Sequence, residues 1–282
     1  GVDGFRCDMV EMVPVEFWHW VIKKLKREFP NIIFIAEIYN IDLYQDYINI
    51  GDFDYLYDKI NLYDTLRDII EGKKNCSEIT KVWQDLDKID VSYCNNQIKN
   101  IQNKEYNNIN CNDKMLRFIE NHDEQRIASK HFANDPFKGI PAFAICALMH
   151  KGGVMIYNGQ ELGVDGDYDS GYSKEDGRTT IFDYWSEDEL IKWNNNGNFN
   201  LDNFNDDIIN LRNSYSRILN LAINNKAFSC GNFYDLMWQN KHLIDQNCFA
   251  FLRVGNNKEH NLCLVLVNFS DSPQPLIVYI HI

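Results

Sequence analysis

The chain has 282 residues, is 45% hydrophobic and carries a formal net charge of −13. This length and apolar content predict a globular protein with a sizeable core, and no apolar run is long enough to span a bilayer. The acidic balance argues against nucleic acid and anionic membranes as partners, because both are bound through basic patches.

The first residues have the pattern of a buried strand that ends in a carboxylate. Val2 to Cys7 is the predicted strand, and Asp8 follows it directly. Side chains alternate along a strand, so Arg6 and Asp8 are expected to point the same way. Barrel enzymes place catalytic groups at such strand ends. The structural alternative is that Asp8 only caps the following helix.

Helices and strands then alternate. Apolar residues at helical spacing predict a helix over Pro14 to Phe29. A continuous apolar run predicts a strand over Ile32 to Ile38, buried on both faces as in parallel sheets. Glu37 near its end needs a partner or a role there. The next predicted elements are a helix over Leu43 to Ile50, a strand over Phe53 to Tyr57 and helices over Tyr63 to Ile70 and Cys76 to Leu86.

The strand-then-acid pattern occurs a third time further along the chain. Met115 to Ile119 is a predicted strand, and Glu120-Asn121-His122-Asp123 follows it. Residues 95–112, rich in Asn, Gln and Lys, predict a solvated connection before it. The elements predicted after it are a helix over Ile140 to Met149, a strand over Val154 to Tyr157, a loop over Gly163 to Asn200 and a helix over Phe204 to Ile223.

From Gly231 onward the pattern changes to strands. They are predicted over Phe233 to Trp238, Phe249 to Val254, Leu262 to Asn268 and Leu276 to Ile280, with Gly255-Asn256-Asn257 as a hairpin turn. We therefore expect two domains. Residues 1–225 form an α/β unit, and residues 226–282 form a β-sheet domain that is cut before its end.

Together, the strand-end motifs resemble those of the α-amylase family, glycoside hydrolase family 13. Gly4-Phe5-Arg6-Cys7-Asp8 is similar to the motif that ends the family's fourth barrel strand. Ile35-Ala36-Glu37 is similar to the fifth-strand motif, and Phe118 to Asp123 to the seventh. The segment from Gly152 to Glu161 resembles the eighth strand and its loop.

This resemblance implies an α/β fold: strands four to eight of a TIM (β/α)8 barrel with their helices, followed by a truncated antiparallel β domain. It also implies roles for the acids. Asp8 is the expected nucleophile, Glu37 the general acid/base and Asp123 the transition-state stabiliser. The residues expected to bind substrate are Arg6, Asn121 and His122.

The implied activity is that of a retaining glycosidase, which hydrolyses α-glucosidic bonds in starch or maltodextrins through a covalent glycosyl-enzyme intermediate. Such chemistry needs two carboxyl groups about 5 Å apart. The expected partner is an α-glucan oligosaccharide or polysaccharide. Two alternatives stay open: a transglycosylase of the same family, acting by branching or maltosyl transfer, and a non-catalytic glucan-binding module. The residues do not separate α-1,4 from α-1,6 specificity.

No metal site is predicted, and calcium is the one cofactor left open. Classic α-amylases carry Lys-His, the His serving a structural calcium, where this chain has Glu11 and Met12. Alternate carboxylates in the 163–200 loop could bind calcium, but the loop lacks the usual ligand glycine and terminal glutamate. A solvated loop is the favoured interpretation. The carboxylates are Asp165, Asp167, Asp169, Glu175 and Asp176.

The eight cysteines lack the paired spacing of zinc sites, and a disulfide framework is not expected in a chain of this size. Cys7, Cys146 and Cys263 are expected to be buried free thiols. This favours the bacterial cytoplasm or periplasm over a disulfide-rich secreted form. Because the chain begins inside the first motif strand, we expect it to be a piece of a longer barrel protein, inactive alone.

Overall fold

The computed structural model describes residues 1–89, 91, 110–167, 173–179, 187–255 and 262–280. Most of the predicted solvated connection over 95–112 lies outside the described residues, and so do two residues of the predicted hairpin turn, Asn256 and Asn257.

A parallel sheet organises the first part of the chain. Its strands, β1 (Gly4–Cys7), β2 (Ile33–Ala36), β3 (Tyr55–Tyr57) and β4 (Met115–Leu116), are adjacent in chain order. Each crossover between them contains helix, as parallel pairing requires. This is the strand order of one side of a (β/α)8 barrel.

The strand predicted over Val154 to Tyr157 is reduced to a single parallel bridge between Arg117 and Val154. Two hydrogen bonds hold it. The Arg117 amide donates to the Gly153 carbonyl at 3.0 Å, and the Met155 amide donates to the Arg117 carbonyl at 2.9 Å. The chain thus extends the barrel wall to a fifth position beside β4.

Nine α-helices lie in the described part of the chain. Among them, α1 begins directly after Pro14, whose φ of −54° suits a helix start, and ends one residue before Phe29-Pro30. No helix in the described part of the chain is long and apolar enough to cross a bilayer. The helices are α1 Val15–Glu28, α2 Tyr44–Asn49, α3 Asp64–Ile70, α4 Glu78–Asp87, α5 Gly139–Leu148, α6 Ser173–Asp176, α7 Asp188–Asn194, α8 Asp206–Asn224 and α9 Lys226–Ser229.

A second, antiparallel sheet follows the helices, with strands β5 (Asn232–Asp235), β6 (Cys248–Val254) and β7 (Leu262–Asn268) in that order. The central strand β6 is apolar except for Arg253 and is buried along nearly its whole length. In β7, alternate side chains face outward, as expected for an outer strand with one covered face.

Two of the three apolar clusters in the described residues join these layers. One packs β1 to β3 against α1 and α2 and includes Ile22, Phe34 and Phe53. The larger one joins α5 and α8 to the antiparallel sheet, and in it the rings of Phe143 and Tyr215 lie 4.7 Å apart. The helices of the α/β unit therefore share a continuous core with the β-sheet unit.

The prediction of a strand over Leu276 to Ile280 is wrong, because this described segment does not pair with another strand. Its backbone bonds to a side chain instead. The Tyr279 amide donates to Asn240 Oδ1 at 2.6 Å, and Asn240 Nδ2 donates to the Tyr279 carbonyl at 3.0 Å. Alternate residues of the segment still pack on the large cluster, which explains its strand-like pattern.

Three smaller differences concern bounds and burial. The predicted loop over 163–200 contains the helices α6 and α7, and the strand predicted over Phe233 to Trp238 ends at Asp235. Of the three cysteines expected to be buried, Cys146 is buried, whereas Cys7 and Cys263 are partly buried.

Arg253 fixes the antiparallel sheet to the helices. It is 1% exposed, and its guanidinium donates to four backbone carbonyls. Burial lowers the pKa of Arg253 to about 10, so the side chain remains a cation at neutral pH. The acceptors are the carbonyls of Met149 (2.6 Å), Ala227 (3.1 Å), Phe228 (2.7 Å) and Gly231 (2.8 Å).

We predict that Arg253→Met destabilises the protein by about 3 kcal/mol or more, because each buried carbonyl left unpaired costs about 1–3 kcal/mol. Denaturant unfolding measures this loss. The exposed Arg27 supplies the matched control, Arg27→Met, which should change stability by less than about 0.5 kcal/mol. Equal effects of the two variants would contradict the role given to Arg253.

Candidate active site

Asp8 and Glu37 leave the parallel sheet side by side. Cys7 is paired with Ala36, and each acid is the next residue of its strand. Backbone hydrogen bonds continue past the pair: the Glu37 amide donates to the Cys7 carbonyl at 3.0 Å, and the Val10 amide donates to the Glu37 carbonyl at 3.0 Å. The two carboxyl groups are therefore presented at the same level of the carboxyl end of the sheet.

Arg6 connects these two acids. Its guanidinium makes an ion pair with Asp8 through one nitrogen and with Glu37 Oε1 at 2.5 Å through another. It also lies over the ring of Tyr57, 5.4 Å from the centroid. Burial alone would lower the pKa of Arg6, but the hydrogen bond to Asp8 and the charge of Glu37 outweigh it and the pKa is raised. The expected same-face pairing of Arg6 and Asp8 is confirmed.

The Glu37 carboxyl is fixed by further donors. Glu37 is 3% exposed, and its Oε2 accepts the Met9 amide at 2.8 Å. Met9 has a positive φ of 41°, an uncommon value for a residue other than glycine. The Tyr39 hydroxyl donates to Oε1 at 2.9 Å. Burial and this hydrogen bond raise the pKa of Tyr39, so the phenol keeps its proton.

Asp123 approaches from the segment after β4. Its backbone amide donates to Asn121 Oδ1 at 2.9 Å, and His122 Nε2 lies 3.3 Å from its Oδ2. Burial first, and then the negative charges of Glu37 and Asp123, raise the pKa of Tyr39. Both carboxylates thus contribute to the raised pKa of Tyr39.

The three acids differ in exposure. The side chain of Asp8 is 76% exposed and that of Asp123 is 49% exposed, whereas that of Glu37 is 4% exposed. The arrangement combines a carboxylate open to an incoming molecule with a buried carboxyl held by specific donors. Two carboxyl groups in unlike settings are the basis of acid–nucleophile chemistry.

The residues expected to bind substrate occupy different positions. Arg6 lies between the carboxylates, and the His122 side chain is 17% exposed beside Asp123. Asn121 is 1% exposed, and its side-chain oxygen is used by the Asp123 amide. In the described structure Asn121 therefore supports the Asp123 turn through this hydrogen bond.

Tyr39, Tyr57 and Met9 are site residues that the sequence reasoning missed. Tyr39 stands two positions after Glu37 on an extended segment, and alternation places it on the same side, which is a usable signal. The Met9 contact is made by its backbone amide, and the Tyr57 contact depends on packing between strands. Neither has a local sequence signal.

A buried ion pair anchors the far end of the Asp123 segment. Arg126 and Glu120 are each 2% exposed, and Arg126 Nη1 lies 2.8 Å from Glu120 Oε2. Arg126 also donates to the Asn158 carbonyl at 2.7 Å and to Thr179 Oγ1 at 2.8 Å. Burial raises the pKa of Glu120, against the opposing effect of Arg126. The segment is thus tied to the residues that follow Val154.

The 163–200 loop is the segment whose alternate carboxylates could bind calcium. Among the residues described by the structure, no group of three or more His, Cys, Asp or Glu side chains is placed to hold a metal ion. Asp169 lies outside the described residues. Asp176 is engaged by Arg178 Nε at 2.7 Å, which lowers the pKa of its carboxyl.

A match to a protein-family model shows the family to which the chain belongs. The family model described as alpha amylase, catalytic domain, matches residues 1–230. The chain belongs to the α-amylase family. The family is glycoside hydrolase family 13, and the sheets described above are the later part of its catalytic barrel followed by a C-terminal β domain. The fold expected from the motifs is confirmed.

Solved structures of α-amylase relatives share this fold. A noncanonic maltogenic α-amylase, AmyB from Thermotoga neapolitana, has 21% identity and a TM-score of 0.54, over 95% of this chain and 49% of that one. A cyclomaltodextrinase has 20% identity and a TM-score of 0.60, over 95% and 37%. The α-amylase from H. orenii has 18% identity and a TM-score of 0.61, over 95% and 51%.

The chain therefore spans about half or less of the length of these relatives. A comparison with curated proteins found no match.

Proposed function

We propose that this chain carries the catalytic acids of a retaining glycosidase that hydrolyses α-glucosidic bonds in starch or maltodextrins. The observation that supports it is the pair Asp8 and Glu37, which leave adjacent strands and share the cation of Arg6. Retaining glycosidases need two carboxyl groups close together and in unlike environments.

Each acid has a separate task in this proposal. Asp8 is the exposed carboxylate and attacks the anomeric carbon, forming a covalent glycosyl ester, while the Glu37 carboxylic acid gives its proton to the departing glycosidic oxygen. Water then attacks the anomeric carbon, gives a proton back to Glu37 and releases Asp8. Asp123 stabilises the positive charge that develops in the transition state, and its neighbour His122 contacts the sugar.

The proposed substrate class follows the relatives. The structures similar to this chain include a cyclomaltodextrinase and a cyclic α-maltosyl-(1→6)-maltose hydrolase from Arthrobacter globiformis, the latter in complex with maltose at 18% identity and a TM-score of 0.60. Both names describe α-linked glucose oligomers.

Transglycosylation is the second candidate, because it uses the same covalent intermediate and differs only in whether water or another sugar attacks it. A non-catalytic glucan-binding module is the third candidate, and the presence of all three acids counts against it. The products formed from maltoheptaose separate these candidates. A hydrolase gives short sugars alone, a transferase also gives longer ones, and a binding module gives none.

We propose that the activity needs a closed barrel, of which the described parallel sheet forms only part. The edge strand β1 has exposed apolar residues on and beside it, Val2 at 66%, Phe5 at 46% and Ile33 at 39%. An apolar sheet edge of this kind pairs with further strands or aggregates. We propose that residues 1–225 complete a barrel with further β/α units and that residues 226–282 are part of its β domain.

We predict that Asp8→Asn and Glu37→Gln, made in the protein with a closed barrel, each lower kcat by several orders of magnitude, as the loss of a nucleophile or a general acid requires. Asp123→Asn should also be severe. Hydrolysis of maltoheptaose is the assay. Asp85→Asn on α4, which removes an exposed carboxylate paired with Lys88, is the control. Glu37→Gln with more than about a tenth of wild-type activity would refute the assignment.

A second prediction concerns residues 1–282 alone. Because the β1 edge is open, the isolated chain should be poorly soluble and inactive on starch, and co-expression with the β/α units that complete the barrel should restore both properties. Size-exclusion chromatography and a reducing-sugar assay measure these outcomes. A monodisperse 282-residue chain that melts cooperatively and hydrolyses starch would contradict the proposal.

A further inference from the structure

Glu124, the residue after Asp123, is held by three side chains from the region after β3. Lys59 Nζ lies 3.0 Å from its Oε1. The Tyr63 hydroxyl donates to its Oε2 at 3.1 Å, and Arg67 Nη1 donates to the same oxygen at 3.4 Å. We call this set of contacts the Glu124 clamp. Both carboxylate oxygens are engaged, and the Glu124 side chain is only 16% exposed.

The partners of Glu124 stand on an unusual piece of backbone. Lys59 and Tyr63 are the first and last residues of a π-helix, Lys59–Tyr63, which leads directly into α3. Asp58 organises this turn: its side chain accepts the Leu62 amide at 3.0 Å, and its carbonyl accepts the Tyr63 amide at 3.1 Å. Single π turns are rare and occur often at functional sites.

The turn is itself fixed from the interior. Asp58 and Arg117 are completely buried side chains, and Arg117 Nε donates to Asp58 Oδ2 at 3.0 Å. Arg117 in turn belongs to the parallel bridge with Val154. The clamp is therefore built on the sheet and not on a free loop, so it can hold Glu124 in one place.

The clamp also offsets the negative charge of Glu124. An unpaired Glu124 would place a negative charge beside Asp123 and repel its carboxylate. Lys59 and Arg67 offset that charge. Burial alone would lower the pKa of Lys59. The hydrogen bonds to Asp64 and Glu124 outweigh this effect, so the pKa of Lys59 is raised. Lys59 therefore stays positively charged across the neutral pH range.

We propose that Glu124 is a positioning residue: the Glu124 clamp fixes the Asp123 turn against the exit of β3 so that the Asp123 carboxylate faces Asp8 and Glu37. The Arg126–Glu120 pair anchors the same segment on its other side. This inference rests on the proposed function. It assigns to Lys59, Tyr63 and Arg67 an indirect part in the reaction, through the orientation of Asp123.

The test compares Glu124→Ala with wild type in the protein with a closed barrel, after wild-type hydrolysis of maltoheptaose has been established. Misplacing a catalytic group by about 1 Å costs up to about 100-fold, so kcat should fall by about 10- to 100-fold. KM should stay within about threefold, because Asp123 acts mainly in the transition state. Glu124→Gln, which keeps the shape and an acceptor for Tyr63, should lose less than Glu124→Ala.

Glu71→Gln is the matched control. Glu71 also pairs with Arg67, at 3.6 Å, and is about as exposed as Glu124, but it lies at the far end of α3. It should leave kcat within twofold of wild type. Hydrogen exchange is the readout that does not depend on activity: amides of residues 123–126 should exchange faster in Glu124→Ala and at the wild-type rate in Glu71→Gln.

A kcat within twofold of wild type in Glu124→Ala would overturn the proposal, and so would equal losses in kcat from Glu124→Ala and Glu71→Gln. If Glu124→Ala does not fold, Glu124→Gln decides by the same kcat and exchange measurements, with an unchanged kcat counting against the proposal. If wild type has no activity, the proposed function fails, and faster exchange confined to residues 123–126 in Glu124→Ala still supports the clamp.

Discussion

The shared ion pair of Arg6 with Asp8 and Glu37 is the interaction on which the site depends. Two carboxyl groups at neighbouring strand ends repel one another when both are ionised, and one of them, Glu37, is almost completely buried. A single guanidinium between them offsets this cost and sets their relative position. Parallel pairing of β1 with β2 supplies the geometry, because Arg6 and Asp8 share one face and Glu37 is level with Asp8.

The third acid depends on support from a larger part of the fold. Asp123 stands on a segment that is anchored through Arg126 to residues near Asn158 and through Glu124 to the turn after β3. The buried Arg117–Asp58 pair joins these regions behind the sheet. Burying two charges costs free energy that their mutual attraction only partly recovers, so pairs of this kind fix specific positions more than they add stability.

Much of the parallel sheet could be predicted, because strand periodicity and apolar runs are local signals. The same-face relation of Arg6 and Asp8 follows from alternation alone, and Glu37 was noticeable as a charge at the end of an apolar strand. What could not be predicted depends on distant partners. The segment over Leu276 to Ile280 has a strand pattern, but it bonds to Asn240 from elsewhere in the chain.

The site residues also divide into those with a local sequence signal and those that depend on distant partners. A buried asparagine and an exposed one look alike in sequence, so the sequence does not show that the Asn121 oxygen accepts the Asp123 amide. The π turn over Lys59–Tyr63 has no propensity signal, since it depends on the Asp58 side chain and on Arg117 behind it. Backbone geometry and long-range ion pairs thus determine what the motif residues can do.

The central claim, that Asp8 is the nucleophile of a double displacement, is tested most directly by the anomeric form of the first product. Proton NMR in the first minutes of α-glucan hydrolysis by the protein with a closed barrel distinguishes the two anomers before they interconvert. Two successive inversions at the anomeric carbon predict that the α-anomer appears first. A first product in the β form would require direct attack by water and would contradict this account.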